Sequence, residues 1–273
     1  MYKMSPKKRF GQNFLIDQSI LEKIIFTAGS LENKSIIEIG GGSGNLTKHL
    51  LKAKPKKLLV IEIDKDYSEI LSKILDNNSI ETKLISEDIL STEIYNYFSE
   101  PPVIFGNLPY NISTTILTKL LIGENGIKKW DKLLLMFQLE VAKRIVAKPD
   151  TKQYGRLSLF SQFYSHPSLE FQISKDSFFP VPKVESALVK FYNNYENQTE
   201  YNGVLFQDII RNSFQGRRKM LRNTLKTSYG DISDILKICD IPENSRPENI
   251  TLKQFCELTS AIEQLEHQLK ITS

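Results

Sequence analysis

The chain has 273 residues, 40% of them hydrophobic and 25% charged, which is enough for a full core and a smaller second unit. No apolar stretch approaches the roughly 20 residues that span a bilayer, and no apolar segment follows the basic N-terminus, which disfavours a membrane protein and a signal peptide. The two isolated cysteines suit a reducing cytosol, and the three scattered histidines disfavour a metal site. A cytoplasmic protein is therefore predicted. The sequence shows no apolar heptad repeat or apolar patch that would favour a dimer, so we expect a monomer.

The first two thirds of the chain alternate short apolar runs with amphipathic segments, after an initial helix that Asp17 is expected to cap. The predicted strands are 35–39, 58–63, 83–86, 103–105, 133–137, 169–173 and 187–191. The predicted helices are 45–53, 65–76, 91–98, 112–122 and 139–147. This alternation indicates an α/β fold with a parallel sheet covered by helices. Only a proline-rich loop separates the last two strands, which permits an antiparallel pair at one edge.

After about residue 200 the strand signals end and helical periodicity dominates. The predicted helices there are 203–214, 217–227, 231–239 and 251–268. The polar stretch 192–203 is the expected boundary, so the sequence predicts a sheet domain over 1–197 and a small all-helical domain over 198–273.

The first predicted strand ends in the glycine-rich stretch EIGGGSGNLT, with Gly40, Gly42 and Gly44 in alternation. Glycine allows a tight turn and a close approach to a ligand, and the helix that follows offers free amides. The dinucleotide fingerprint needs a small residue where Asn45 stands, so the loop matches S-adenosylmethionine (SAM) enzymes better. A tight structural turn would have the same composition, so the loop alone is weak evidence.

Two acids follow at the tips of the next two predicted strands. Glu62 lies 22 residues after Gly40, close to the spacing of about 20 expected for an acid that holds ribose hydroxyls. Asp88 falls at the third strand tip, where a carboxylate can accept the exocyclic amine of an adenine. Each acid alone also fits a surface charge or a helix cap, but the ordered set favours a nucleotide site.

The fourth strand tip carries the sequence NLPY. The side-chain oxygen of Asn107 and the carbonyl of Leu108 could accept both hydrogens of adenine N6, which is a poor nucleophile because its lone pair is delocalised. Pro109 stiffens the turn, and Tyr110 offers a flat face on which an extruded base can stack. These residue types favour methyl transfer to an aromatic amine.

Basic residues form two clusters, one near the N-terminus and one in the last third of the chain. The first cluster is Lys7, Lys8 and Arg9. The second, in 211–226, contains no acid and consists of Arg211, Arg217, Arg218, Lys219, Arg222 and Lys226. Clustered cations favour a polyanionic partner, although a solvated helix face has the same composition.

At these residues the sequence resembles the ribosomal RNA adenine N6,N6-dimethyltransferases of the KsgA type, which are related to the Erm methyltransferases. The motifs that carry the resemblance are KKRFGQNFL, EIGGGSGNLT, VIEID, EDIL, NLPYNIS, MFQLEVAKRI, YGRLS, FFPVPKVESA and FQGRRKMLRN. The resemblance covers nearly the whole chain. It implies a Rossmann-like seven-stranded SAM-dependent methyltransferase sheet with a small C-terminal all-helical domain. One departure is Gly41, where the family often has proline, and this is expected to loosen the loop slightly.

The resemblance also implies roles for particular residues. SAM would be bound by Gln12, Asn13, Leu15, Gly40, Gly42, Glu62, Asp88 and Asn107. The target base would meet Asn107, Leu108, Tyr110 and Phe178, although core packing is the alternative for Phe178 and Phe179, and one of them is expected to pack. RNA phosphates would be held by Lys7, Lys8, Arg9, Arg217, Arg218, Lys219 and Arg222. No metal is implied.

The implied reaction is dimethylation of two adjacent adenosines in a hairpin near the 3′ end of small-subunit (16S) rRNA, on an assembling 30S particle. The alternatives are an Erm-like enzyme acting on large-subunit RNA and a non-catalytic assembly or transcription factor that keeps the fold. A nicotinamide oxidoreductase is disfavoured by Asn45 and by the lack of a proton-relay histidine.

Overall fold

A computed structural model describes residues 12–124, 130–194, 197, 200–216 and 219–272. The chain forms two compact units. The first comprises the residues up to Ala142 together with Ser168–Asn193, and the second comprises Lys143–Pro167 together with the residues from Asn194 onward. The grouping of Lys143–Pro167 with the C-terminal residues has no counterpart in the predicted boundary between residues 197 and 198, which stays a prediction.

The described strands fall into one large sheet and one short ribbon. In chain order they are β1 (Phe14–Leu15), β2 (Ser35–Ile39), β3 (Lys57–Ile61), β4 (Glu81–Ile85), β5 (Val103–Asn107), β6 (Lys132–Gln138), β7 (Ser165–Ile173), β8 (Phe178–Phe179) and β9 (Ser186–Asn193). The large sheet has the order β4-β3-β2-β5-β6-β9-β7. Strands β2 to β6 are parallel, and β9 runs antiparallel to β6. The predicted seven-stranded sheet is confirmed, with β7 and β9 adjacent at one edge as expected.

The strand order reverses between β2 and β5. From β2 the chain steps outward to β3 and β4, and it then returns to the other side of β2 as β5. In open α/β sheets, ligands bind in the crevice beyond the carboxyl ends of the strands at such a reversal. The residues after β2 and at the end of β5 therefore frame the expected binding site.

The helices of the first two thirds mostly match the periodicity of the sequence. They are α1 (Gln18–Ala28), α2 (Asn45–Lys52), α3 (Lys65–Asp76), α4 (Ser113–Ile122), α5 (Leu139–Ile145) and α6 (Arg156–Tyr164). The predicted cap is confirmed, because the Asp17 carboxylate accepts hydrogen bonds from the amides of Ser19 and Ile20. Helix α6 was not predicted because it is buried almost all round and so lacks an amphipathic pattern.

The predicted helix 91–98 is wrong, since only Tyr95–Tyr97 form a short 3₁₀ helix there. The loop before it is held in another conformation by side-chain contacts. The ammonium of Lys119 donates hydrogen bonds to the carbonyls of Ile89, Leu90 and Thr92, so the Thr92 carbonyl inside the predicted helix already has a partner.

The remaining described helices are α7 (Gly203–Ser213), α8 (Leu221–Tyr229), α9 (Ser233–Ile238) and α10 (Leu252–Thr272). The predicted helical C-terminal region is thus confirmed, with a core that contains Phe206, Leu225, Leu236 and Phe255. Helix α8 begins later than predicted, after a turn in which the Lys219 amide donates to the Gly216 carbonyl. Among the described helices, none has the length and apolar character needed to cross a membrane.

Candidate active site

A cleft opens at the carboxyl ends of β2, β3 and β5 in the first unit. Among the residues predicted to bind cofactor or target, those that line it are Gln12, Asn13, Gly40, Gly42, Glu62, Asp88, Asn107, Leu108 and Tyr110. Leu15 and Phe178 do not line it, and both side chains are buried in the core. Leu15 instead lines a small neighbouring pocket together with Gly40 and Asn107.

The glycine loop after β2 requires its glycines. Gly40 and Gly42 have φ angles of +77° and +50°, a conformation that L residues rarely adopt. A Cβ on Gly42 would lie 2.6 Å from the ring of Phe14. The lack of a side chain at Gly42 therefore lets Phe14 pack against the loop. It also leaves the backbone of the turn accessible to a ligand.

Gly41, the departure from the family pattern, is packed tightly. A Cβ there would lie 2.6 Å from Val60 Cγ1 and 2.9 Å from Leu71 Cδ1. The neighbouring side chains fill the space that a larger residue would occupy, which gives a steric reason for glycine at this position.

Glu62 connects the tip of β3 to the glycine loop. Its carboxylate accepts a 2.8 Å hydrogen bond from the Gly42 amide and another of 2.8 Å from the Asp64 amide. Burial raises the pKa of Glu62, and these two amides counteract the shift. A carboxylate has further lone pairs, so Glu62 can still accept hydrogen bonds from ribose hydroxyls.

Beneath the loop lies a second buried acid that the sequence reasoning did not single out. Glu38 is only 1% exposed, and one of its carboxylate oxygens has no hydrogen-bond partner among the described residues. Burial and the charge of Glu62 raise the pKa of Glu38 to about 7. The sequence does contain a signal for Glu38, because an acid within the apolar run SIIEI is unusual in a fully buried strand.

The loop after β4 presents Asp88 to the cleft. One Asp88 oxygen accepts a 2.9 Å hydrogen bond from the Leu90 amide, which shapes the turn. The Lys119 ammonium then fixes the loop by donating to Ile89, Leu90 and Thr92 carbonyls at 2.8, 3.2 and 2.7 Å. Burial lowers the pKa of Lys119. No local sequence motif predicts this contact, because Lys119 lies on α4, 30 residues after Ile89.

The NLPY turn is anchored by the N-terminal segment. The Asn107 side-chain amide donates a 2.8 Å hydrogen bond to the Asn13 carbonyl, which leaves the Asn107 side-chain oxygen as an acceptor. In the described part of the chain, no group donates to the carbonyl of Leu108. Two acceptors therefore lie on neighbouring residues of the cleft wall, as the recognition of an amine requires.

The N-terminal segment has two further contacts with the site. The Gln12 side chain donates to the Asp64 carboxylate at 3.3 Å, and the Asn45 side chain donates to the Leu15 carbonyl at 2.8 Å. Asn45, which replaces a small residue of the dinucleotide fingerprint, therefore ties this segment to the glycine loop.

Tyr110 is half-buried, and its hydroxyl forms a 2.7 Å hydrogen bond with the Ser186 hydroxyl. Burial raises the pKa of Tyr110. The prediction that Phe178 covers the other face of the target base does not fit, because Phe178 is only 1% exposed and packs in the core with Leu15. Its neighbour Phe179 is 57% exposed. Alternate residues of a strand point to opposite faces, which explains why only one of the two phenylalanines is available.

The predicted RNA contacts divide into two groups. Lys7, Lys8, Arg9, Arg217 and Arg218 lie outside the described residues. Lys219 is exposed, whereas Arg222 pairs with Glu243 at 3.0 Å. Arg211, also in the basic run, pairs with Asp208 at 2.9 Å. The absence of acids within the run therefore does not mean that its cations are unpaired.

The sheet, with its glycine loop and the two acids at neighbouring strand tips, defines a Rossmann-like SAM-dependent methyltransferase. The chain matches the family model described as ribosomal RNA adenine dimethylase over residues 4–264, and it belongs to this family. It is accordingly an rRNA adenine dimethyltransferase that uses SAM as its methyl donor.

Individual relatives agree with this assignment. A ribosomal RNA small subunit methyltransferase A from Wolbachia sp. subsp. Drosophila simulans (strain wRi) is 39% identical over 268 residues, covering 95% of this chain and 94% of that protein. One from Pelagibacter ubique (strain HTCC1062) is 38% identical over 265 residues, covering 96% and 98%.

Two solved structures share the architecture. A dimethyladenosine transferase from Plasmodium falciparum has a TM-score of 0.80 at 25% identity, covering 92% of this chain and 98% of that one. The 23S rRNA methyltransferase ErmE has a TM-score of 0.68 at 20% identity, covering 92% and 100%. The second likeness concerns the fold alone.

Proposed function

We propose that this protein dimethylates two adjacent adenosines in a hairpin near the 3′ end of small-subunit (16S) rRNA, acting as a monomer in the cytoplasm on the assembling 30S particle. The small subunit is chosen as the substrate because the relatives described above, which are 38–39% identical over nearly their whole length, are named small subunit methyltransferases. Recognition by RNA shape and by phosphate contacts suits such a substrate better than base reading does.

The residues present fit the cofactor. Gly40 and Gly42 line the cleft with positive φ angles that favour glycine, and Glu62 and Asp88 stand at successive strand tips of the same cleft. In our proposal Gln12, Asn13 and the Leu15 backbone hold the methionine end, Glu62 accepts from the ribose, and Asp88 accepts from the adenine. When bound, SAM supplies an electrophilic methyl group.

The proposal is carried by one observation, the fixed orientation of the Asn107 amide. With its nitrogen committed to Asn13, the amide turns its oxygen to the substrate. This oxygen and the Leu108 carbonyl would accept the two hydrogens of adenine N6, and Tyr110 would stack on the ring. Holding the amine in position then supplies much of the rate acceleration, and the nitrogen can lose its proton without a strong base.

We assign RNA binding to the predicted C-terminal domain, residues 198–273, and to the basic N-terminus. Lys219 is exposed and available to phosphates. Arg222 shares its guanidinium with Glu243, and its further N–H groups can serve a phosphate at the same time.

The test is tritiated methyl transfer from SAM to unmethylated small and large ribosomal subunits, followed by nucleoside analysis. Dimethyladenosine on the small subunit alone is the expected result. Label on the large subunit would instead assign an Erm-like specificity. Tight binding to the small subunit without label would contradict catalysis and indicate an assembly factor.

A further inference from the structure

The ribbon formed by β1 and β8 has two different faces. Phe14 stands opposite Phe179, and Leu15 stands opposite Phe178. Residues directly opposite each other in an antiparallel pair point to the same side, and the next pair points to the other side. Leu15 and Phe178 are both buried in the core, so Phe14 and Phe179 share the outer face of the ribbon.

Phe14 shows where that outer face points. Its ring lies against Gly42, in the space that a Cβ would occupy, and it lines the cleft. Phe179 is its direct neighbour across the ribbon and is therefore placed beside the cleft. A phenylalanine that keeps 57% of its surface exposed at the edge of a binding site presents an unused flat apolar surface.

The chain that follows carries further exposed side chains. Between Phe179 and Ser186, whose hydroxyl holds the tyrosine of NLPY, the exposed side chains include Val181, Lys183 and Val184. Among the described residues, no carboxylate pairs with Lys183. An exposed aromatic ring flanked by apolar groups and an available cation is the combination that binds an unpaired base and its phosphate.

We propose that Phe179 stacks on the base next to the target adenosine at the edge of the cleft, and that Lys183 contacts the adjoining phosphate. This rests on the proposed function, because it takes single-stranded rRNA as the occupant. Tyr110 is half-buried and tethered inside the cleft, so it suits the target base, whereas Phe179 lies at the edge and suits its neighbour.

The experiment compares four substitutions at one site: Phe179→Tyr, Phe179→Trp, Phe179→Leu and Phe179→Ala. Affinity for unmethylated small subunits is measured, and the affinity for SAM is measured in parallel. Loss of one base stack is expected to weaken subunit binding about 5- to 150-fold, which corresponds to about 1–3 kcal/mol. The leucine and alanine variants should show this loss, and the tyrosine and tryptophan variants should bind within about twofold of wild type.

Three controls make the result decisive. Phe26→Ala, at an exposed phenylalanine on α1, should bind both ligands like wild type. Unchanged SAM affinity in the Phe179 variants shows that the ribbon is intact. If SAM affinity falls, Lys183→Met gives the answer, since it leaves the ribbon untouched and should reduce the salt dependence of subunit binding by about one ion.

Wild-type subunit affinity in Phe179→Ala, or in Phe179→Leu, would overturn the stacking proposal, as would an unchanged salt dependence in Lys183→Met. Absence of methyl transfer by the wild-type protein to small subunits would instead overturn the proposed function. The two failures are therefore distinguishable.

Discussion

The side-chain amide of Asn107 and the backbone carbonyl of Asn13 are joined by a 2.8 Å hydrogen bond across 94 residues of sequence. This bond makes the N-terminal segment part of the wall of the active site. It also gives the Asn107 amide nitrogen a structural partner and leaves the oxygen able to accept a hydrogen bond, which our proposal assigns to the target amine.

Replacing Asn107 by alanine is expected to reduce methyl transfer by at least about 100-fold, because the target amine loses an acceptor and its alignment. SAM should still bind, with affinity reduced by no more than about tenfold, since the glycine loop, Glu62 and Asp88 remain. Single-turnover methylation and calorimetric titration with SAM measure the two effects. The matched control is Asn96→Ala, at an exposed asparagine outside the cleft. Normal turnover by Asn107→Ala would refute its assignment to the site.

Replacing Lys119 by methionine is expected to weaken SAM binding by about tenfold, because the loop that carries Asp88 loses its three anchoring hydrogen bonds. Methionine keeps the apolar stem and removes the donors. Titration with SAM and with adenosine measures the effect, and both affinities should fall because Asp88 is expected to meet the adenine. Lys52→Met, at an exposed lysine of α2, should change neither. Unchanged affinity in Lys119→Met would show that the loop keeps its shape without the lysine.

The sequence predicts those site residues that follow directly from strand ends. Gly40, Glu62, Asp88 and Asn107 each come after an apolar run, and the carboxyl ends of neighbouring parallel strands meet at one edge. Their arrangement thus follows from periodicity and connectivity alone. The family resemblance adds roles to these residues, but their clustering has an independent physical basis.

Other features depend on contacts between residues far apart in sequence. The two-residue strands of the ribbon are too short to show a period, so the sequence did not indicate which phenylalanine of Phe178 and Phe179 is buried. The pairing with Phe14 and Leu15 decides it. In the same way, the hydrogen bonds from Lys119 to the carbonyls of Ile89, Leu90 and Thr92 fix the chain at the start of the predicted helix 91–98, and no local propensity reveals a contact with a residue so far along the chain.

Replacing Glu38 by glutamine should change how stability depends on pH. Burial raises the pKa of Glu38 from 4.5 to about 7, so the native state keeps a proton that the unfolded state releases between these values. The group therefore destabilises the protein progressively as pH rises from about 4.5 to 7. Above pH 7, ionisation of the buried Glu38 lowers the free energy of unfolding by about 3 kcal/mol relative to its value at low pH.

Urea unfolding of wild type and Glu38→Gln at pH 5 and pH 8 measures this difference. The variant should gain about 2–3 kcal/mol relative to wild type at pH 8 and much less at pH 5. Glu69→Gln, at an exposed position of α3, should leave the pH dependence unchanged. Parallel pH profiles for wild type and Glu38→Gln would mean that Glu38 does not titrate in this range.

Replacing Gly42 by alanine should damage both stability and cofactor binding. The left-handed backbone at φ +50° costs about 1–2 kcal/mol for an L residue, and the collision with Phe14 adds about 1–3 kcal/mol. Gly29→Ala is a comparison for backbone strain without a collision, because Gly29 has φ +77° and ψ −159° and nothing lies within 4 Å of the added carbon. It should cost only the backbone term and leave SAM binding intact. Adding Phe14→Leu to Gly42→Ala should restore part of the lost stability, and no recovery in the double variant would mean that Phe14 does not pack closely on the loop.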